Sequence, residues 1–442
     1  MKSYHVWTVG CQMNKADSER LESAMGQLGL LPSPQADDAD VIVLNSCVVR
    51  QSAEDRVIGN LTRLKPTREG DPDRILALMG CMVGPKTDDL RKRFPYVDVF
   101  MRPQQFEPLI ELLAERLGVD PDGCVGPLVA RPAVATYVPI IHGCDKFCTF
   151  CIIPYRRGRE VSRPIDELVR EAEMLVARGV QEITLLGQNV DSYGHDLPGA
   201  QDLGDLLTAI NDVNGLQRIR FLTSHPNDMS EHIIDAVADL EKVCEHINLP
   251  VQAGDDEVLE RMRRGYKRDD YLRKVDQIRE RIPRVTLSTD VIVGFCGETD
   301  AQFRQTYDLV SQVGFDKVHA AAYSTREGTL ASRKLEDDVP LDEKKARLAE
   351  LEALQEGIAT GLNAAYSGRI EQVLVEKVRR ESDKGGRATG RNRNDKLVHF
   401  DADPKAELVG KMVDVRIDET GPWALLGTRL VPVEMVAGPA SL

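Results

Sequence analysis

Three cysteines stand at C-x₃-C-x₂-C spacing in the stretch 142–151, with Cys144, Cys148 and Cys151 supplying the sulfurs. Three thiolates leave a metal site one ligand short, because structural zinc sites and four-cysteine clusters are closed by four protein ligands. Such a loop either borrows another ligand or keeps a coordination position open to a small molecule. On the first reading His142 completes a Cys₃His zinc site, although it lies only two residues before the first cysteine and the spacing is not that of a common zinc knuckle. On the second, the loop holds a [4Fe–4S] cluster whose fourth iron is free for chemistry.

A second trio recurs near the start of the chain. Apolar runs at 4–9, 40–44 and 74–79 lead to turns ending in Cys11, Cys47 and Cys81, and helical stretches such as 17–28 alternate with them. Continuous apolar runs alternating with helices predict parallel βα units, and functional groups in such sheets gather at the carboxyl ends of the strands. A single cysteine there is accounted for as a small residue that is often buried. Three at the same place in successive units point to a shared site for an iron–sulfur cluster or zinc, the partners that soft thiolates select. Cys124, Cys244 and Cys296 fall outside both patterns and are read as structural.

The elements that must position these residues follow in order. A Pro/Gly-rich bridge at 121–127 and 131–132 marks a domain boundary. Beyond it, strands are expected at 137–141, 182–186, 218–222, 246–250, 285–293 and 317–323, with amphipathic helices such as 165–177 and 303–313 between them. Six βα units in register predict a partial barrel whose working face is the carboxyl end of its strands, where the 142–151 loop directly follows the first strand. A charged helix at 341–362 connects to a third segment of β texture, with strands expected at 369–378, 396–400, 412–417 and 424–430. Arg379-Arg380 and the stretch 385–394 are expected to form a basic, glycine-rich loop on a small antiparallel barrel, which is either a nucleic-acid platform or a solvated charged loop. The fold class expected is α/β: a parallel-sheet domain at 1–119, a partial (βα)₆ barrel at 130–365 and a small antiparallel β-barrel at 366–434.

Composition bounds the function. Apolar residues make up 42% of the 442 residues, enough for several cores, and no run of about 18 apolar residues is present to span a membrane. The first residues lack the apolar core and small-residue cleavage site of a signal peptide, so a cytoplasmic address is expected. Nine cysteines are too sparse for a disulfide scaffold. The net charge of −14 argues against a surface coated in nucleic acid and leaves room only for local basic patches.

The cysteine loop, with Phe150 just before its last cysteine, resembles the signature of the radical S-adenosylmethionine (SAM) superfamily. The stretches 8–14, 17–19, 45–47, 80–81, 147–155, 157–163, 186–189 and 224–226 are similar to the methylthiotransferases of that superfamily, above all to its MiaB-type, tRNA-modifying branch. That resemblance covers nearly the whole chain. It implies a [4Fe–4S] cluster on Cys144, Cys148 and Cys151 that binds SAM and splits its sulfonium, an auxiliary [4Fe–4S] cluster on Cys11, Cys47 and Cys81 that takes part in sulfur donation, and a C-terminal RNA-binding TRAM domain. The implied reaction converts N6-isopentenyladenosine at tRNA position 37 to its 2-methylthio form, with an electron-donor protein as partner and a monomeric chain. Gly187, Gln188 and Asn189 are expected beside the methionine part of SAM, the alternative being an ordinary βα turn, and Gly294 and Glu298 on its adenine side, where Cys296 replaces the proline usual in the family. Arg156, Arg157, Arg159 and Arg163 are expected either at the anticodon-stem phosphates or in surface salt bridges, and Arg387, Arg391 and Arg393 on the RNA. Two other classes fit parts of the pattern. Methylthiolation of a ribosomal-protein aspartate is disfavoured by Gln12-Met13-Asn14 and the basic C-terminal stretch. A non-enzymatic metal-bearing RNA-binding protein leaves the open three-cysteine loop without a purpose.

Overall fold

The computed structural model describes residues 2–48, 51–120, 132–382 and 385–430. Cys124, the bridge at 121–127 and the tail beyond residue 430 lie outside the described residues.

The N-terminal apolar runs Val41–Ser46 and Ile75–Gly80 are buried along their whole length. A strand reads as a continuous apolar run when both faces of its sheet are covered. Here the parallel sheet runs in the order Leu31–Pro32, Ser3–Thr8, Val41–Ser46, Ile75–Gly80, Val99–Met101. Helices Gln12–Gln27 and Glu107–Leu117 cover one face through Leu21, Met25, Leu109 and Leu113. Helix Gln51–Glu69 covers the other through Val57, Leu61 and Leu64. Strand order reverses between Ser3–Thr8 and Val41–Ser46, and ligands of open α/β sheets bind at such a switch point.

The second domain is the expected run of six parallel strands. Ala135–Pro139, Glu182–Leu186 and Arg218–Phe221 form one three-stranded sheet, and His246–Asn248, Thr286–Val293 and Lys317–Ala322 another. A parallel bridge between Ile219 and Val243 joins them into one curved wall. Alternation along the strands explains the wall: Ile183, Leu185, Ile219, Phe221, Ile247 and Leu287 enter the large core under the helices. The alternate residues turn polar groups inward, where Arg220 pairs with Glu182 at 2.9 Å and Asn248 donates to Ser288 at 3.2 Å. Helix Leu341–Ala364 then packs along the last two strands.

The third domain is a closed five-stranded barrel in the order Ile370–Ser382, Gly385–Arg391, Leu397–Ala402, Leu425–Arg429, Met412–Thr420. Two expectations are corrected here. The pairing is not antiparallel throughout, since Leu397–Ala402 runs parallel to Leu425–Arg429. The stretch 385–391, expected as a loop, is a strand paired on both sides. Its glycines are what let the barrel close, because a Cβ on Gly390 would lie 1.9 Å from the carbonyl oxygen of Leu374.

The turn after that strand plugs the amino end of the central barrel. Arg218 donates to the carbonyls of Arg391 and Gln372 at 2.7 and 2.8 Å. Arg220 donates to those of Arg393 and Asn392 at 2.7 and 2.6 Å. Lys396 reaches Asp316 at 2.7 Å. The third domain is thus seated on the end of the barrel opposite the cysteine loop.

Candidate active site

All three N-terminal cysteines occupy carboxyl ends of adjacent strands, as their spacing predicts. Cys11 caps helix Gln12–Gln27, Cys47 follows Val41–Ser46 and Cys81 follows Ile75–Gly80. A buried polar set fixes their loops: Asn45 donates to the Asn14 carbonyl at 2.7 Å, Asn14 donates back to Asn45 at 2.9 Å, and the Cys81 amide donates to the Ser46 carbonyl at 3.0 Å. Cys47 and Cys81 are buried while Cys11 is exposed, so the trio has one open side.

The second trio lies at the mouth of the barrel. A two-stranded ribbon, Ile141–His142 against Val161–Ser162, carries the loop and the short helix Ile153–Arg157. The loop is tied to the barrel on two sides, by Thr149 bonding to the carbonyls of Met262 and Arg261 at 3.1 and 2.8 Å, and by Ala331 bonding to the Thr149 carbonyl at 2.8 Å. Buried Arg264 donates to the Cys148 sulfur at 3.3 Å and to the Tyr266 hydroxyl at 3.0 Å. Arg264 carries no sequence signal; it follows Cys148 by more than a hundred residues and meets it only through the fold.

Burial pushes the thiols up to about 11 at Cys81 and Cys144, and to about 12 at Cys151, with neighbouring sulfurs adding to the rise. Thiols so placed ionise against a metal's charge.

The barrel mouth also holds polar atoms with nothing to bond. Asn189 donates to Asp228 at 2.6 Å, and Asp228 in turn pairs with Lys146 of the cysteine loop at 2.6 Å. Asn189 Oδ1, His225 Nε2 and His142 Nδ1 are buried without a partner. Unpaired buried polar atoms are costly and mark where a polar ligand fits.

The remaining expected residues are placed as follows. Gly187 is buried against Ile141, whose Cγ2 would lie 2.4 Å from any added Cβ. Gln188 follows it, half-buried. Gly294 lies against the Lys344 side chain. Glu298 accepts from the Gly294 amide at 2.6 Å and from Arg347 at 2.9 Å, so this segment is braced by the connector helix. Cys296 is buried within the same core and Cys244 beneath the barrel, in keeping with structural roles.

The arginines divide. Arg157, expected at phosphate or in a surface salt bridge, is in a buried one, its side chain 2% exposed and 3.0 Å from Asp17 of the N-terminal domain. Arg163 is likewise buried, paired with Glu167 and Glu171 at 2.6 and 2.5 Å. Glu171 also takes Arg20 at 3.1 Å, which locks the first domain to the second. Arg156 lies against Gly84 of the first domain. Arg159 is open, 73% exposed, beside Asp145 at 2.8 Å and over the Phe147 ring. Arg391 pairs with Glu376 and Asp395, and Arg393 with Glu245 at 2.8 Å on the barrel. Arg387 stands in the strand Gly385–Arg391, opposite Arg379 and Asp401.

A parallel partial barrel with an open three-cysteine loop at its mouth defines a radical SAM protein, and residues 138–310 match the model of the radical SAM superfamily. Residues 3–102 match an uncharacterized protein family, UPF0004, and residues 364–430 match the TRAM domain. The tRNA-2-methylthio-N(6)-dimethylallyladenosine synthase of Herpetosiphon aurantiacus is 47% identical over 434 residues, 96% of each chain. That of Dehalococcoides mccartyi is 46% identical, over 96% of this chain and 98% of its own. The chain belongs to the family of tRNA-2-methylthio-N(6)-dimethylallyladenosine synthases. A solved radical SAM methyltransferase, TsrM of Kitasatospora setae, shares the fold with a TM-score of 0.51 at 17% identity, over 73% of this chain and 75% of its own. Membership of the superfamily brings SAM and a [4Fe–4S] cluster as cofactors. No helix among the described residues is long and apolar enough to cross a membrane.

Proposed function

We propose that the chain replaces the C2 hydrogen of N6-isopentenyladenosine, at tRNA position 37 beside the anticodon, with a methylthio group. The observation that carries this reading is the pairing of two three-cysteine sites, one on the barrel and one on the N-terminal sheet, joined by the buried Arg157–Asp17 contact. Cys144, Cys148 and Cys151 would hold the cluster that binds SAM, and Cys11, Cys47 and Cys81 a second [4Fe–4S] cluster. When bound, these groups supply radical removal of hydrogen from an unactivated carbon, the sulfur and the methyl group.

The chain's own residues position the parts. Arg264 orients the Cys148 sulfur, and Lys146, Asp228 and Asn189 brace the loop against the barrel. The unpaired atoms of Asn189, His225 and His142 offer hydrogen bonds to the polar groups of SAM. Gly187 and Gln188 line the same turn. Gly294 and Glu298 bear on SAM through the segment they brace. Arg159, exposed beside the cysteine loop, and Arg387 on the TRAM barrel are the arginines best placed for RNA. Attack at C2 requires an adenosine turned out of its stack. An electron-donor protein, a monomeric chain, a cytoplasmic address and domain limits of 1–119, 130–365 and 366–434 complete the reading.

Anaerobic reconstitution tests it. About eight irons per chain are expected, falling to about four when Cys144, Cys148 and Cys151 are all replaced by Ala. The reconstituted protein with SAM and a reductant converts isopentenyladenosine in tRNA to its 2-methylthio form, read by nucleoside mass spectrometry. Zinc in place of iron, or no product, contradicts the proposal.

A further inference from the structure

Arg157 leaves the cysteine-loop helix Ile153–Arg157 of the barrel and ends among the N-terminal cysteines. Its Nη2 donates to Asp17 Oδ2 at 3.0 Å, and both side chains are sealed from solvent, 2% and 0% exposed. One carboxylate does not use the guanidinium up. Nε and Nη1 of Arg157 are buried without a well-formed hydrogen bond, although the Cys81 thiol lies within reach of the guanidinium, and Oδ1 of Asp17 likewise has no well-formed bond, with Gln104 beside it. An arginine presents five N–H donors in a fixed planar fork, and leaving the three on Nε and Nη1 unpaired in a dry site carries a large desolvation cost. The groups nearest in electrostatic effect, besides Asp17, are the sulfurs of Cys81 and Cys11. Burial alone does not account for this arrangement, because a structural ion pair is stable only when its remaining donors are satisfied.

We propose that Arg157 is a positioning residue of the auxiliary site, its Nε and Nη1 donating to anionic sulfur held by Cys11, Cys47 and Cys81, whether thiolate or cluster sulfide. This rests on the reading that the trio holds an iron–sulfur cluster. Hydrogen bonds and positive charge at cluster sulfur favour the reduced, more negative state and raise the reduction potential. Asp17, sharing the same guanidinium, offsets part of that charge. The residue that sets the N-terminal site's potential therefore belongs to the barrel, six positions beyond Cys151, and docking of the two domains completes the auxiliary site.

The test uses the full chain carrying Cys144→Ala, Cys148→Ala and Cys151→Ala, so that only the auxiliary site can hold iron, and reads its potential by EPR-monitored redox titration. Arg157→Gln is expected to lower the equilibrium constant for reduction about tenfold, a shift of about 59 mV for a one-electron couple. Arg157→Lys, which keeps the charge and loses the fork, falls between. Asp17→Asn moves the potential the opposite way. If Arg157→Gln fails to retain iron, the Lys and Asn variants carry the same test through the order of their potentials. Iron retained with an unchanged potential in all three overturns the proposal. A parent protein that binds no iron refutes the two-cluster reading, and this inference with it.

Discussion

Replacing Arg393 with Ala separates a clamp from an RNA contact. The guanidinium makes two bonds to the Glu245 carboxylate at 2.8 and 2.9 Å and bonds to the carbonyls of Glu241 and Val243 at 2.9 and 2.6 Å. Charge-assisted bonds of this kind contribute about 1.5–3 kcal/mol each when dry. Both side chains of the pair are 30% exposed, and water can replace part of what is lost. A net cost of about 2 kcal/mol follows, or about 30-fold in the equilibrium for local opening of the seat. Amide hydrogen exchange reads it directly: Asn392, Asp395 and Cys244, whose amides bond to Lys396, Asn392 and Ile219 carbonyls, should exchange about 30-fold faster. The salt dependence of tRNA binding should keep its slope, since no phosphate contact is lost. Unchanged exchange together with a slope reduced by about 0.7–0.9 would refute the clamp and return Arg393 to the RNA.

Other substitutions probe the same architecture. Glu171→Ala leaves Arg20 and Arg163 facing each other without their shared, 1%-exposed carboxylate, so stability in urea should fall by about 3–5 kcal/mol. Gly390→Ala forces a methyl group onto the Leu374 carbonyl and should cost the TRAM barrel about 3 kcal/mol, seen as an earlier unfolding transition. Burial holds His246 well below its usual value, at about 4. The unfolded chain therefore binds a proton that the folded chain refuses between about pH 6.5 and 4. Stability from this group is full above that window and is lost as pH falls through it, and His246→Gln should flatten the urea midpoint across the same range.

Much of the site was legible because it is local in sequence. Each N-terminal cysteine closes an apolar run, and a run followed by Gly-Cys or Asn-Ser-Cys reads as a strand end. The six barrel strands were legible for the same reason. Long-range pairing was not: Asp17 and Arg157 are separated by 140 residues and Arg20 and Glu171 by 151, so Arg157, expected on phosphate or in a surface salt bridge, instead joins two domains through a buried pair. The strand Gly385–Arg391 was hidden by composition. Glycine and arginine weaken a strand reading, yet closure of a small barrel requires Gly390 to be bare. Glu298 also took its partner, Arg347, from a helix whose only local signal was its charge.

Nucleoside mass spectrometry of tRNA from a strain lacking this gene decides whether the chain methylthiolates isopentenyladenosine. Isopentenyladenosine should accumulate and its 2-methylthio form disappear, and the intact gene should restore the product while a Cys11→Ala or Cys144→Ala copy does not. An unchanged nucleoside profile in the deletion strain, or full restoration by either cysteine variant, would contradict the proposed methylthiolation.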